Sequence, residues 1–235
     1  MNLPRVVEPE WLDILPAAEP KAVRSRKDLA RVNRWMMQRR IVTGLLLRCW
    51  PERGPRTILE LGAGDGTFML SVAYRLARRW PGVKVRLLDR QAIVSKATLA
   101  RFHDLDWSAE AINDDVFSFL KRNKRAVDLI TANLFLHHFH PNQLTQLFGY
   151  VAKMSSTLIA TEPRRFAPAL YASRFLWAIG CNAVSRHDAW ASVRAGFDDA
   201  ELSQLWPDKS RWDLHEGRAL PFTHWFMTRR KSEAP

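Results

Sequence analysis

The sequence predicts an α/β protein built on a mostly parallel sheet, and three observations lead there. From residue 57 onward, short apolar runs alternate with amphipathic stretches of helical period. A glycine-rich turn, GAGDG at 62–66, closes the first apolar run. The chain has 235 residues and is 47% apolar, which is enough for one core with a modest extension.

The elements are taken in chain order. TILEL (57–61) reads as a buried strand, and TFMLSVAYRLARRW (67–80) as a helix ended by Pro81-Gly82. KVRLLD (84–89) is the second strand and AIVSKATLARF (92–102) the next helix. WSAEAIN (107–113) and VFSFLKR (116–122) form a weaker strand and a short helix. VDLITANLF (127–135) is a clear strand, followed by a helix at 141–154 with proline in its first turn. STLIATEP (156–163) is a fifth strand. The alternation then breaks into a helical, aromatic insertion at about 164–197. A last helix comes at 198–206, with Asp198 as its expected N-cap. RWDLHEG (211–217) and FTHWFMTRR (222–230) make a closing pair around the bend RALP. Residues 1–56 are expected to form a helical N-terminal arm or lid, with one or two helices over 27–50, and residues 57–235 the main domain.

Composition narrows the classes. No apolar run approaches the roughly 18 residues that span a bilayer. The opening stretch has acids and prolines within its apolar part, so it does not read as a signal peptide. Cys49 and Cys181 are isolated, which argues against a disulfide framework or a zinc site and fits a reducing cytoplasm. No metal set is expected. The net charge of +12 raises nucleic acid as a partner. Counted along the chain the basic excess looks dispersed, with KRNKR at 121–125 as its densest run.

The glycine loop asks which nucleotide it holds. A dinucleotide fingerprint wants G-x-G-x-x-G beneath a pyrophosphate. Here Gly62, Gly64 and Gly66 flank Ala63 and Asp65, and Thr67 stands where the third glycine belongs. Glu60 and Asp65 would repel a diphosphate but suit a ligand carrying an ammonium group and a sulfonium. Asp89, followed by Arg90, ends the second strand, where a carboxylate takes both ribose hydroxyls. Asp115 follows the third strand, placed to accept from an adenine amine while the Val116 backbone donates to the ring. These acids lie at the carboxyl ends of parallel strands, where open α/β sheets bind ligands. S-adenosylmethionine fits the set, with S-adenosylhomocysteine as its product.

LELGAGDGTF, LLDRQ, NDDVFSFL and VDLITANLFLHHF together resemble the class I S-adenosylmethionine-dependent methyltransferases over roughly residues 57–162. The resemblance implies a Rossmann-like seven-stranded sheet with an antiparallel last strand. LHHF is similar to small-molecule methyltransferases of quinone and polyketide pathways. DLARVNRWM and SRHDAWASVRAGF resemble a bacterial group associated with type III polyketide synthases.

The acceptor is read from the residues beyond the fourth strand. Asn133 and Leu134 open NLFL, without the Pro-Pro of amino-group methyltransferases acting on DNA bases or glutamine amides. Cytosine C5 chemistry needs a cysteine near this strand, and none is there. His137 and His138 at the strand end and His187 in the insertion are the candidate bases, with His187 first because an acceptor lid belongs there. Phe166, Tyr171, Phe175, Trp177, Trp190 and Phe197 suggest an apolar pocket for a small aromatic or polyketide-like acceptor. Arg34, with Arg31 and Asn33, is expected to reach the methionine carboxylate. The reading is therefore methyl transfer to a phenolic, enolic or quinol-type hydroxyl. An RNA or ribosome methyltransferase using the basic surface is the alternative.

Overall fold

The computed structural model describes residues 3–231. Its seven strands form a single sheet. They are β1 (Thr57–Leu61), β2 (Lys84–Asp89), β3 (Ser108–Asn113), β4 (Leu129–Asn133), β5 (Thr157–Pro163), β6 (Trp212–Ala219) and β7 (Thr223–Arg230). The order across the sheet is β3-β2-β1-β4-β5-β7-β6. β1 to β5 pair in parallel, while β7 runs antiparallel to both β5 and β6. This is the mostly parallel sheet that the sequence predicts, with the reversed last strand that the resemblance implies.

Ten α-helices surround it among the described residues. The arm holds α1 (Trp11–Ile14), α2 (Pro20–Trp35) and α3 (Gln38–Cys49). Met37, at φ 53°, breaks α2 from α3, so the expected run at 27–50 is two helices. The crossovers are α4 (Thr67–Leu76), α5 (Lys96–His103), α6 (Val116–Arg122) and α7 (Pro141–Met154). The insertion holds α8 (Ala167–Arg174) and α9 (Ala183–Ala195), and α10 (Glu201–Leu205) comes after it.

Strand residues alternate between two cores, as period-two side chains must. Ile58, Val85, Leu87, Leu129 and Ile159 meet α3, α4 and α5 on one face. Leu59, Leu61, Ile130, Leu158 and Phe226 meet α6, α7 and α10 on the other, where Phe148 is fully buried. Burying a side chain of that size contributes about 1.5–3 kcal/mol.

Several helix limits differ from expectation, α2 among them, which begins at Pro20 rather than at 27. α5 starts at Lys96, because the Ser95 hydroxyl caps it by accepting from the Thr98 N–H at 3.0 Å, leaving 92–95 as loop. α4 ends at Leu76, after which the Arg79 N–H turns back to the Leu76 carbonyl at 2.9 Å. The N-cap of α10 is Ala200. Asp198 is taken up instead by Arg218 at 3.1 Å and Arg164 at 3.5 Å.

Candidate active site

β1 must turn into α4 within five residues. Gly62, Gly64 and Gly66 do this with φ of +66°, +57° and +74°, a region open to glycine. A Cβ on Gly62 would meet the Phe135 ring at 2.2 Å, so the loop lies flat on the chain leaving β4. Asp89 braces this loop from the neighbouring strand end. Its two oxygens accept from the Gly64 and Gln91 N–H groups, each at 2.8 Å. The Thr67 N–H and hydroxyl both donate to Asp65, at 3.0 and 2.6 Å. Asp115 caps α6 by accepting from the Ser118 N–H at 2.9 Å. The Arg90 guanidinium donates to the Asp13 carbonyl at 3.3 Å.

Glu60 sits beneath the loop, 2% exposed, and its Oε2 has no hydrogen-bond partner among the described residues. Burial, then the charges of Asp89 and Asp65, push its carboxyl well above the usual range. It is left with an unused polar atom facing the cavity.

At the end of β4 the chain enters a strained turn. The Asn133 Oδ1 accepts from the Thr161 hydroxyl at 2.9 Å, and Leu134 holds φ 52°. A 3-10 turn, Leu136–His138, comes next. Glu162 of β5 organises it from below, fully buried. It accepts from the N–H groups of Phe135 and Leu136, at 3.0 and 2.7 Å, and from His137 Nδ1 at 2.7 Å. His137 Nε2 then meets Glu10 at 3.1 Å. His138 donates through Nδ1 to the Phe135 carbonyl at 2.9 Å. That turns its Nε2 toward Glu10 at 3.4 Å and Asp13 at 3.6 Å.

Electrostatics are set by this packing. Burial alone would lower His138, but the hydrogen bond and charge of Glu10, with the charge of Asp13, raise it to about 10. His137 is raised as well: burial and the neighbouring His138 oppose this, but Glu10 and Glu162 prevail. Burial would raise Glu10, yet bonds from the two imidazoles hold it below the usual carboxylate range. The ligating atoms of Glu10, His137 and His138 all lie within 4.8 Å of one another, so a cation could take the place of the shared protons.

One cavity of about 1210 Å³ joins these parts. Glu60, Gly62, Ala63 and Gly64 line it from the loop. Asp89, Arg90, Asp115 and Val116 line it from the ends of β2 and β3. Asn133, Leu134, His137 and His138 do so from β4. Gly66, Arg34 and His187 do not. Arg34 is exposed, while Asn33 reaches the cavity with a buried Oδ1 that has no partner among the described residues. His187 stacks on Trp11 with centroids 3.9 Å apart and meets Asp188 at 3.0 Å, beside a smaller cavity. Of the six aromatics expected over the pocket only Phe175 lines it, because Phe197 has gone into the core and Trp177 into solvent. The apolar wall comes instead from Leu29, Trp35 and Met36 of the arm and from Phe175, Leu176 and Ile179.

Sequence reasoning misses Glu10, Asp13 and Glu162. Glu10 is 127 residues from His137, and only packing brings them together. Arg5, which donates to the carbonyls of His137 and Phe139 at 3.1 and 2.9 Å, escapes it for the same reason.

No protein-family model matches this chain, and no curated protein matches it by sequence. Solved structures match it in fold. The plantazolicin methyltransferase BamL, solved with a triazolic desmethylPZN analog and SAH, is 13% identical with a TM-score of 0.66. That match covers 92% of this chain and 93% of the other. An O-methyltransferase family protein from Burkholderia thailandensis is 18% identical with a TM-score of 0.63, over 92% of this chain and 62% of that one. The pyocyanin biosynthetic protein PhzM is 15% identical with a TM-score of 0.61, over 94% and 61%. This chain thus spans about six tenths of the length of the latter two. It has the seven-stranded Rossmann-like fold of these methyltransferases.

Proposed function

We propose that the chain is an S-adenosylmethionine-dependent O-methyltransferase acting on an ionisable hydroxyl of an apolar small molecule. One observation carries this reading: a single cavity unites the glycine loop and its acids with a buried imidazole–carboxylate cluster and an apolar wall. The residues present fit the cofactor. Glu60 has an unused buried oxygen beneath the loop, Asp89 suits a ribose, and Asp115 with the Val116 backbone suits an adenine edge. When bound, the cofactor supplies an electrophilic methyl group on a sulfonium. The chain's task is then to align the acceptor and exclude water. Leu29, Trp35, Met36 and the insertion supply the dry wall, and residues 1–56 act as the arm that covers the loop.

His138 is the group we assign to the acceptor oxygen. Raised to about 10, its imidazole carries a proton at neutral pH, and its Nε2–H, 3.4 Å from Glu10 and 3.6 Å from Asp13, is the donor an acceptor oxygen would meet. The reading favours phenolic, enolic or quinol-type acceptors, whose hydroxyls give up a proton more readily than an alcohol's. His187 lies outside the cavity and has no part in this reading.

The test is transfer of a labelled methyl group from S-adenosylmethionine to apolar phenols of graded acidity. Transfer should rise with acceptor acidity, and His138→Gln should slow it by about 10²-fold or more while leaving S-adenosylhomocysteine affinity nearly unchanged. Failure to bind S-adenosylhomocysteine would sink the cofactor assignment.

A further inference from the structure

Charge on this chain is concentrated in space. Residues 20–49 and 164–197, which hold α2, α3 and the insertion, carry fourteen basic residues and two acidic ones. Their formal balance equals the +12 of the whole chain, while Arg164, Arg165 and Arg194 pair with Asp198, Glu201 and Glu8 outside these segments. Both acids within the segments, Asp28 and Asp188, are buried. The excess looks dispersed along the sequence because the two segments are far apart in it. They meet in the fold, where Arg24 and Arg31 of α2 donate to the Gly180 carbonyl at 3.5 and 3.4 Å. Lys21, Arg24, Lys27 and Arg34 are exposed on α2 and make no ion pair among the described residues.

Large apolar side chains lie on the same two segments. Trp35, Tyr171, Phe175 and Trp177 are each at least 60% exposed, as is Ile14 of α1, and Leu29 and Met37 are exposed as well. Ile14, Leu29, Trp35 and Phe175 also line the main cavity, so this surface is the rim of its mouth. An apolar rim set among unpaired cations matches the boundary of an anionic bilayer. There, aromatic and aliphatic side chains enter the acyl edge and lysines and arginines meet the headgroups.

We propose that this rim docks on the surface of an anionic lipid bilayer, so that an apolar acceptor enters the cavity from the membrane. The delivery half rests on the methyl-transfer reading, while the docking itself does not. The observations favour lipid over nucleic acid because Ile14, Leu29 and Met37 offer neither a stacking plane nor a charge to a polynucleotide.

The test is co-sedimentation of the full chain with phosphatidylglycerol or phosphatidylcholine vesicles at low and physiological salt. Binding should be confined largely to the anionic vesicles, weaken as salt rises, and shift tryptophan emission to the blue. The triple variant Lys21→Glu, Arg24→Glu, Lys27→Glu should bind on the order of a hundredfold more weakly. Should it fail to fold, as judged by its melting curve, the pair Trp35→Ser and Trp177→Ser should reduce both binding and the emission shift. Absence of binding to phosphatidylglycerol, or binding indifferent to these variants, overturns the proposal. Tighter binding to single-stranded RNA than to the vesicles overturns it in favour of nucleic acid. Vesicle binding without methyl transfer leaves docking standing and removes only the catalytic reading.

Discussion

Asp89 holds the candidate cofactor pocket together through two hydrogen bonds. Its carboxylate accepts backbone N–H groups from both sides of the cleft, Gly64 in the loop and Gln91 after β2. A charge-assisted bond of this kind contributes about 1.5–3 kcal/mol. Asp89→Ala should therefore weaken S-adenosylhomocysteine by roughly 10- to 100-fold in calorimetry, and unchanged affinity would remove Asp89 from the site. At this scale sequence reasoning goes far with strand-end acids, since each lies at a fixed step from a glycine loop or a strand. It goes less far with histidines. Position in the insertion favours His187, but its side chain stacks on Trp11 and pairs with its own neighbour Asp188. Adjacent residues on a helix usually point apart, yet here the imidazole folds back onto the carboxylate.

Among the elements, the insertion has pinned ends. The chain leaves β5 at Arg164 and returns at Phe197, and these two residues form a β-bridge. The Phe197 N–H donates to the Pro163 carbonyl at 3.0 Å, and the Arg165 N–H donates to the Phe197 carbonyl at 3.0 Å. Gly196 makes this closure possible, because a Cβ there would lie 2.2 Å from the Pro163 carbonyl oxygen. Backbone cannot yield as a flexible side chain does. Gly196→Ala should cost about 1–3 kcal/mol in denaturant unfolding, and wild-type stability would show that the ends are not rigidly held. Helical period locates the insertion, but its long-range bridge leaves no mark in a local pattern.

Across the whole molecule, charge ties the N-terminal segment to the wall of the cavity. Glu10 bonds His137 and His138, and Arg5 bonds the carbonyls that flank them. His138 has a folded pKa of about 10, above its ordinary 6.5, so its contribution is complete below pH 6.5 and fades as pH rises through about 10. Glu10 is depressed, so its contribution is present above its ordinary 4.5 and lost as pH falls below that. Glu10→Gln should lower stability at pH 7 by on the order of 3 kcal/mol. The difference from wild type should shrink as pH passes through 10. Thermal melts across pH measure this, and a pH-independent difference would argue that the pair carries no charge.

The order and type of the elements, the glycine turn and the acids after β1, β2 and β3 are all legible from contiguous residues. Period, turn chemistry and strand ends are local properties that a chain writes along itself. Three things depend on tertiary packing: which histidines face the cavity, that Glu10 closes on them, and that basic residues of α2 meet the insertion. Each joins residues more than a hundred positions apart, and buried hydrogen bonds and summed charge are set by distance in space.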